Sequence, residues 1–195
     1  MSSRPRAIVH LNNIVSNWRA IDSLHPGATT AAVVKAEGYG LGSTKVSQAL
    51  AKAGCNTFFV THIEEGVSVR KALGYGPRIF ILNGPANGEL RFYREAMLTP
   101  VLSSEEHIDL WGRTPREACA LHFDTGMNRL GLDPTVLKHR KSELQKLQPV
   151  LIMSHLACAD TPDHPLNARQ LEAFRKVIAN FPDTPASLAN SHGCY

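Results

Sequence analysis

Short, almost continuously apolar runs alternate with helical patterns along this chain, and that alternation restricts the possible folds more than any other feature. The runs cover 30–36, 57–61, 78–82, 99–102, 117–124, 150–155 and 186–190. Helical spacing predicts helices over 43–53, 63–73, 87–96, 104–111, 134–147 and 168–180, with Ser103 or Ser104 as a cap and Pro134 opening the fifth of them. Ahead of these lie a short strand pattern over 7–11 and a helix with Leu11, Ile14, Val15, Trp18 and Ile21 on one face, stopped at His25-Pro26-Gly27. A strand that is apolar on both faces must be covered on both faces, so the expected architecture is a parallel sheet wrapped by helices. An open doubly wound sheet would carry a Gly-x-Gly-x-x-Gly turn after its first strand, and Gly38, Gly40 and Gly42 do not fit that spacing. The expectation is α/β, a (β/α)8 TIM-type barrel with about seven of its eight units present.

The 195 residues suffice for one sizeable core. With 43% hydrophobic and 19% charged residues the chain is not a disordered one. The formal net charge of +4 is mild. Basic residues are scattered apart from Lys138-His139-Arg140-Lys141, with no basic stripe interleaved with aromatics, so nucleic acid is not an expected partner. Cys55, Cys119, Cys158 and Cys194 form no Cys-x-x-Cys pair and read as reduced thiols. Met1-Ser2-Ser3-Arg4-Pro5-Arg6 is basic but no long apolar region follows, and no stretch approaches the length of a membrane span, which gives a cytoplasmic expectation.

The candidate chemistry falls repeatedly at strand ends, where such barrels place their active sites. Lys35 ends the 30–36 run and is followed by three glycines around Tyr39. A lysine between a buried strand and a tight loop can sit in a pocket where its pKa falls and its amine attacks carbonyls. Asp124 to Gly131 leaves the 117–124 strand, Ser154 to Asp160 the next, and Asn190-Ser191-His192-Gly193 the last. Each residue also has a plain role available. Lys35 can be a solvated charge and Tyr39 an ordinary loop aromatic. Arg129 can pair with Asp124 or Asp133, His155 can be a hydrogen-bonded core histidine, and Asn190 and Ser191 can cap a helix. Gly38 to Lys45 lacks the Gly-Lys-Ser/Thr end of a phosphate-binding P-loop, and there is no His-Glu-x-x-His or Gly-x-Ser-x-Gly. His122, His155, His164 and His192 are not spaced as metal ligands usually are, so no metal is expected.

Four of these stretches, in order, resemble alanine racemases. Val34-Lys35-Ala36-Glu37-Gly38-Tyr39-Gly40-Leu41-Gly42 is similar to their cofactor-lysine motif Val-Lys-Ala-x-x-Tyr-Gly-x-Gly. Asp124-Thr125-Gly126-Met127-Asn128-Arg129-Leu130-Gly131, Ser154-His155-Leu156-Ala157-Cys158-Ala159-Asp160 and Ala189-Asn190-Ser191-His192-Gly193 resemble three more. The resemblance covers essentially the whole chain. It implies a pyridoxal 5'-phosphate (PLP) enzyme that interconverts L- and D-alanine, supplies D-alanine for peptidoglycan and works as a homodimer. It implies that Lys35 anchors PLP and is one of two catalytic bases, and that Tyr39 and Ser191 bind the cofactor phosphate with Asn190 beside Ser191. It further implies that His155 lies against the pyridine ring, and that Arg129 contacts the cofactor and places the substrate carboxylate.

Two departures qualify that picture. Many family members carry at His122 a lysine that becomes carboxylated and orients the arginine matching Arg129. With histidine there, a bound anion or a neighbouring carboxylate would have to hold Arg129. The family also continues into an eighth strand and a β-rich domain that brings the second base, a tyrosine, across the dimer interface. Residues 1–195 are therefore expected to be a barrel domain cut before its last strand, without the C-terminal β domain, and to be weakly active or inactive alone. The rival readings are a single-domain barrel that carries PLP without catalysis and a cofactor-free Schiff-base lyase using Lys35.

Overall fold

Seven of the apolar runs become strands: β1 (Ala32–Val33), β2 (Thr57–Val60), β3 (Arg78–Ile81), β4 (Thr99–Leu102), β5 (Ala120–His122), β6 (Leu151–Met153) and β7 (Ala186–Ser187). The structure, a computed structural model, describes residues 7–113 and 117–195. The basic segment 1–6 lies outside the described residues. Every neighbouring pair is parallel, and the strands lie in the order β1-β2-β3-β4-β5-β6-β7. A doubly wound sheet reverses its strand order partway. Unbroken sequential order is that of a barrel wall, here an incomplete one of seven strands.

The helices between the strands are Ser43–Lys52, Ile63–Leu73, Leu90–Glu95, Glu105–Trp111, Lys141–Lys146 and Pro165–Ile178, after an initial helix Leu11–Leu24. Ser104 caps Glu105–Trp111, its hydroxyl accepting from the His107 N–H at 3.2 Å. Two expectations change. Residues 7–11 form no strand: Ile8 is largely exposed and the segment has no ladder partner among the described residues, which a strand requires. The helix expected over 134–147 divides into a 3₁₀ turn, Pro134–Lys138, and the helix Lys141–Lys146. The guanidinium of Arg140, at the break, turns to Glu105 (3.3 Å), Asp109 and Glu143 (2.6 Å).

Alternation along each strand sorts the core into two layers. Phe58, Val60, Ile79, Ile81, Leu102, Leu121 and Ile152 face the helices and meet Leu50, Val69, Ile108, Leu144, Phe174 and Val177. Phe59, Phe80, Val101, Ala120 and Met153 face the barrel axis. Phe59 and Phe80 are register partners and stack with ring centroids 4.7 Å apart. Val33, register partner of Phe59, is 46% exposed, so the inner layer is open along β1. His25, before β1, donates from Nε2 to the Cys194 carbonyl after β7 at 2.9 Å and ties the two ends of the wall together.

Candidate active site

The inner layer fixes where the strand-end residues point. His122 lies two residues beyond Ala120 and His155 two beyond Met153, so both continue the inner face at the C-terminal ends of their strands, while Lys35 follows Val34, whose ψ of 24° ends the extended backbone of β1. Beyond Lys35 the backbone makes a left-handed turn: Ala36, Glu37, Gly38 and Tyr39 have φ of 49°, 53°, 63° and 57°. Three of these are not glycine, and left-handed geometry costs such residues about 3–6 kcal/mol together. Hydrogen bonds offset it: Gly38 N–H to the Val34 carbonyl at 3.0 Å, Gly40 N–H to that of Ala36 at 2.9 Å and Gly42 N–H to that of Glu37 at 2.7 Å. Gly38 is needed for space as well, since a Cβ there would stand 3.2 Å from the Ser43 nitrogen. The turn leaves Tyr39 exposed, its ring centroid 6.0 Å from Lys35 Nζ. The Glu65 carboxylate accepts from the N–H groups of Ala36 (2.6 Å), Thr61 (2.7 Å) and His62 (3.1 Å).

The loop after β5 closes on itself. Leu132 pairs back to Phe123, and the intervening chain is gathered by Asp124, whose carboxylate accepts from the N–H groups of Gly126 (2.9 Å), Met127 (2.9 Å) and Asn128 (3.0 Å). Asp133 accepts from the Thr135 N–H at 2.8 Å. Both carboxylates near Arg129 in sequence are thus engaged with backbone, and its exposed guanidinium forms no ion pair among the described residues.

The loop after β6 is held by a buried amide. Gln170, fully buried on Pro165–Ile178, donates to the His155 carbonyl at 2.9 Å and accepts from the Ala157 N–H at 2.8 Å. Thr125 and Ser154 share a hydrogen bond of 2.7 Å that joins the two loops. Burial, then the positive charges of Arg129 and Lys35, push the His155 pKa down. Burial, then His155, push that of His122 down to about 4, and the Nδ1 of this buried ring has no hydrogen-bond partner among the described residues. Arg129 and Lys35 both act on His155, and His155 and Arg129 on His122, so the four side chains share one electrostatic environment. After β7, Asn190 accepts from the Gly193 N–H at 3.0 Å and so caps the short turn His192–Cys194, the plain role weighed for it, while the Ser191 side chain makes no such cap. Asn190 and Ser191 share the C-terminal end of the wall with Lys35 because the strands are parallel, and no hydrogen bond joins them to the cluster among the described residues. No three His, Cys, Asp or Glu side chains gather as a metal site would require among those residues.

Sequence reasoning missed Glu65 and Gln170. Gln170 had a signal, being a polar residue on the stripe Leu166, Gln170, Phe174 and Val177, where a buried side chain must find partners. Glu65 had the weaker signal of an acid in the third position of a helix.

The family model for the alanine racemase N-terminal domain matches residues 9–195. The chain belongs to the alanine racemase N-terminal domain family. It is 46% identical over 196 residues to an alanine racemase of Rhodospirillum rubrum, covering 96% of this chain and 52% of that one. It is 45% identical over 204 residues to an alanine racemase of Rhizobium meliloti, covering 100% and 53%. A crystal structure of alanine racemase from Bartonella henselae with covalently bound pyridoxal phosphate superposes with a TM-score of 0.90 at 34% identity, over 96% of this chain and 57% of that one. The chain thus spans about half the length of the curated relatives it matches.

Proposed function

We propose that this chain forms the PLP-binding barrel of an enzyme that interconverts L- and D-alanine. What supports the proposal is that Lys35 and Arg129, from two different strand-end loops, both act electrostatically on His155, within the family just described. The donor set fits the cofactor: an amine just beyond β1, a second cation with no carboxylate partner among the described residues, and exposed residues Tyr39 and Ser191 whose hydroxyls would meet a phosphate dianion. Lys35 would anchor PLP, and Tyr39, His155, Asn190 and Ser191 would surround it.

When bound, PLP supplies the electron sink that makes an amino acid's α-hydrogen acidic enough to leave. The chain's own residues do the rest. Lys35 Nζ takes or returns a proton on one face of the substrate. Arg129 holds the alanine carboxylate. His155, whose pKa burial and then its two cationic neighbours push down, would lie against the cofactor. The Gln170 amide fixes the His155 backbone. Racemisation needs a base on each face, and these residues place one. The second would come from the part of the longer relatives that this chain does not span, and the whole enzyme would act as a cytoplasmic homodimer and supply D-alanine for peptidoglycan.

Support for this reading would be an absorption band near the visible edge when PLP is added to the purified 195-residue chain, lost in Lys35→Ala. Chiral analysis of alanine should then show little or no interconversion by this chain. Rapid turnover would refute the one-base assignment, and absence of the band would refute the cofactor role of Lys35. No binding of PLP combined with Lys35-dependent cleavage of a carbonyl substrate would favour the cofactor-free lyase.

A further inference from the structure

Glu65 is the third residue of Ile63–Leu73, a position from which an acidic side chain often folds back over the first turn of its helix. One of its oxygens does this. Oε2 accepts from the N–H groups of Thr61 at 2.7 Å and His62 at 3.1 Å. The other oxygen does something that capping does not require. Oε1 accepts at 2.6 Å from the N–H of Ala36, which belongs to a segment 29 residues earlier.

Ala36 is the first left-handed residue of the turn after β1, and its N–H shares a peptide plane with the carbonyl of Lys35. Fixing that N–H fixes the plane that leaves Lys35 and thus the direction in which its Cα–Cβ bond enters the barrel. A carboxylate suits the task because it offers an acceptor oxygen to each segment. An amide has one acceptor oxygen, and its NH₂ group would face an N–H at the other end.

We infer that Glu65 is a positioning residue for Lys35: by bridging the ends of β1 and β2 through both carboxylate oxygens, it holds the left-handed turn and aims the lysine at the site. The inference rests on the cofactor-anchoring role proposed for Lys35.

The test uses the 195-residue chain, PLP as the probe and borohydride reduction to fix the adduct, with each lysine's labelling read by mass spectrometry. In the parent protein Lys35 should label well above Lys45 and Lys52, and equal labelling would refute the cofactor role itself. In Glu65→Gln the Lys35 labelling should fall tenfold or more while Lys45 and Lys52 are unchanged. A lowered thermal midpoint with the Lys35 preference intact would reduce Glu65 to a helix cap and overturn the inference. A second measurement needs no variant. The Ala36 amide, although its residue is exposed, should exchange with deuterium slowly in the parent chain, and rapid exchange there would also overturn the inference.

Discussion

Replacing Gln170 with leucine tests how the His155 loop is held. The side chain is fully buried. Its amide donates to the His155 carbonyl at 2.9 Å and accepts from the Ala157 N–H at 2.8 Å, with a weaker contact to Thr125 Oγ1 at 3.4 Å. Leucine has similar bulk and neither group. Leaving the half-buried His155 carbonyl facing a leucine side chain with no partner costs about 2–3 kcal/mol, and an N–H on an exposed residue such as Ala157 costs about 1 because water can reach it. The added apolar burial returns about 1 kcal/mol, for a net loss of about 2–3. With a urea slope of about 2 kcal/mol per molar, the unfolding midpoint should fall by about 1–1.5 M with the slope unchanged. A fall below about 0.3 M would mean that the two hydrogen bonds do not hold the loop. The far-UV signal checks that Pro165–Ile178 remains helical in the variant.

Gly131→Ala should be worse tolerated. Its φ is 126°, and a Cβ would lie 2.4 Å from the Asp124 nitrogen and 2.7 Å from the Phe123 carbonyl carbon, so strain and backbone displacement together should cost about 2–6 kcal/mol, seen as lost soluble yield or a matching drop in the urea midpoint. His122 makes stability depend on pH. Burial, then His155, hold its pKa at about 4, below the ordinary 6.5, so between those values the unfolded chain binds the proton that the folded chain refuses. Stability is then fully present above about pH 6.5 and should fall by about 3 kcal/mol toward about pH 4, and His122→Asn should flatten the slope between midpoints measured at about pH 4.5 and about pH 7. His107 and His155, shifted the same way mainly by burial, will keep part of that slope in the variant.

The elements were legible because their signals are local. The strand expected over 99–102 and the helix over 63–73 match Thr99–Leu102 and Ile63–Leu73 to the residue. Apolar runs and helical spacing depend only on which residues lie two, three or four apart. The left-handed turn was foreshadowed by Gly38, Gly40 and Gly42, yet the residues that bear its strain are Ala36, Glu37 and Tyr39, which no propensity would place there. The break at Arg140 was invisible because its causes, Glu105 and Asp109, lie on another helix.

The sequence by itself determined the βα alternation, the placing of the candidate residues at strand ends, and the four motifs that carry the resemblance. Tertiary structure decided how those residues are held and charged. Glu65 reaches Ala36 across 29 positions and Gln170 reaches His155 across 15. Asp124 is engaged with its own loop, and Arg129 makes no ion pair among the described residues. Burial, above all, pushed the pKa values of both histidines down. Hydrogen bonds and desolvation act through space, and the distances that govern them exist only once the strands have paired.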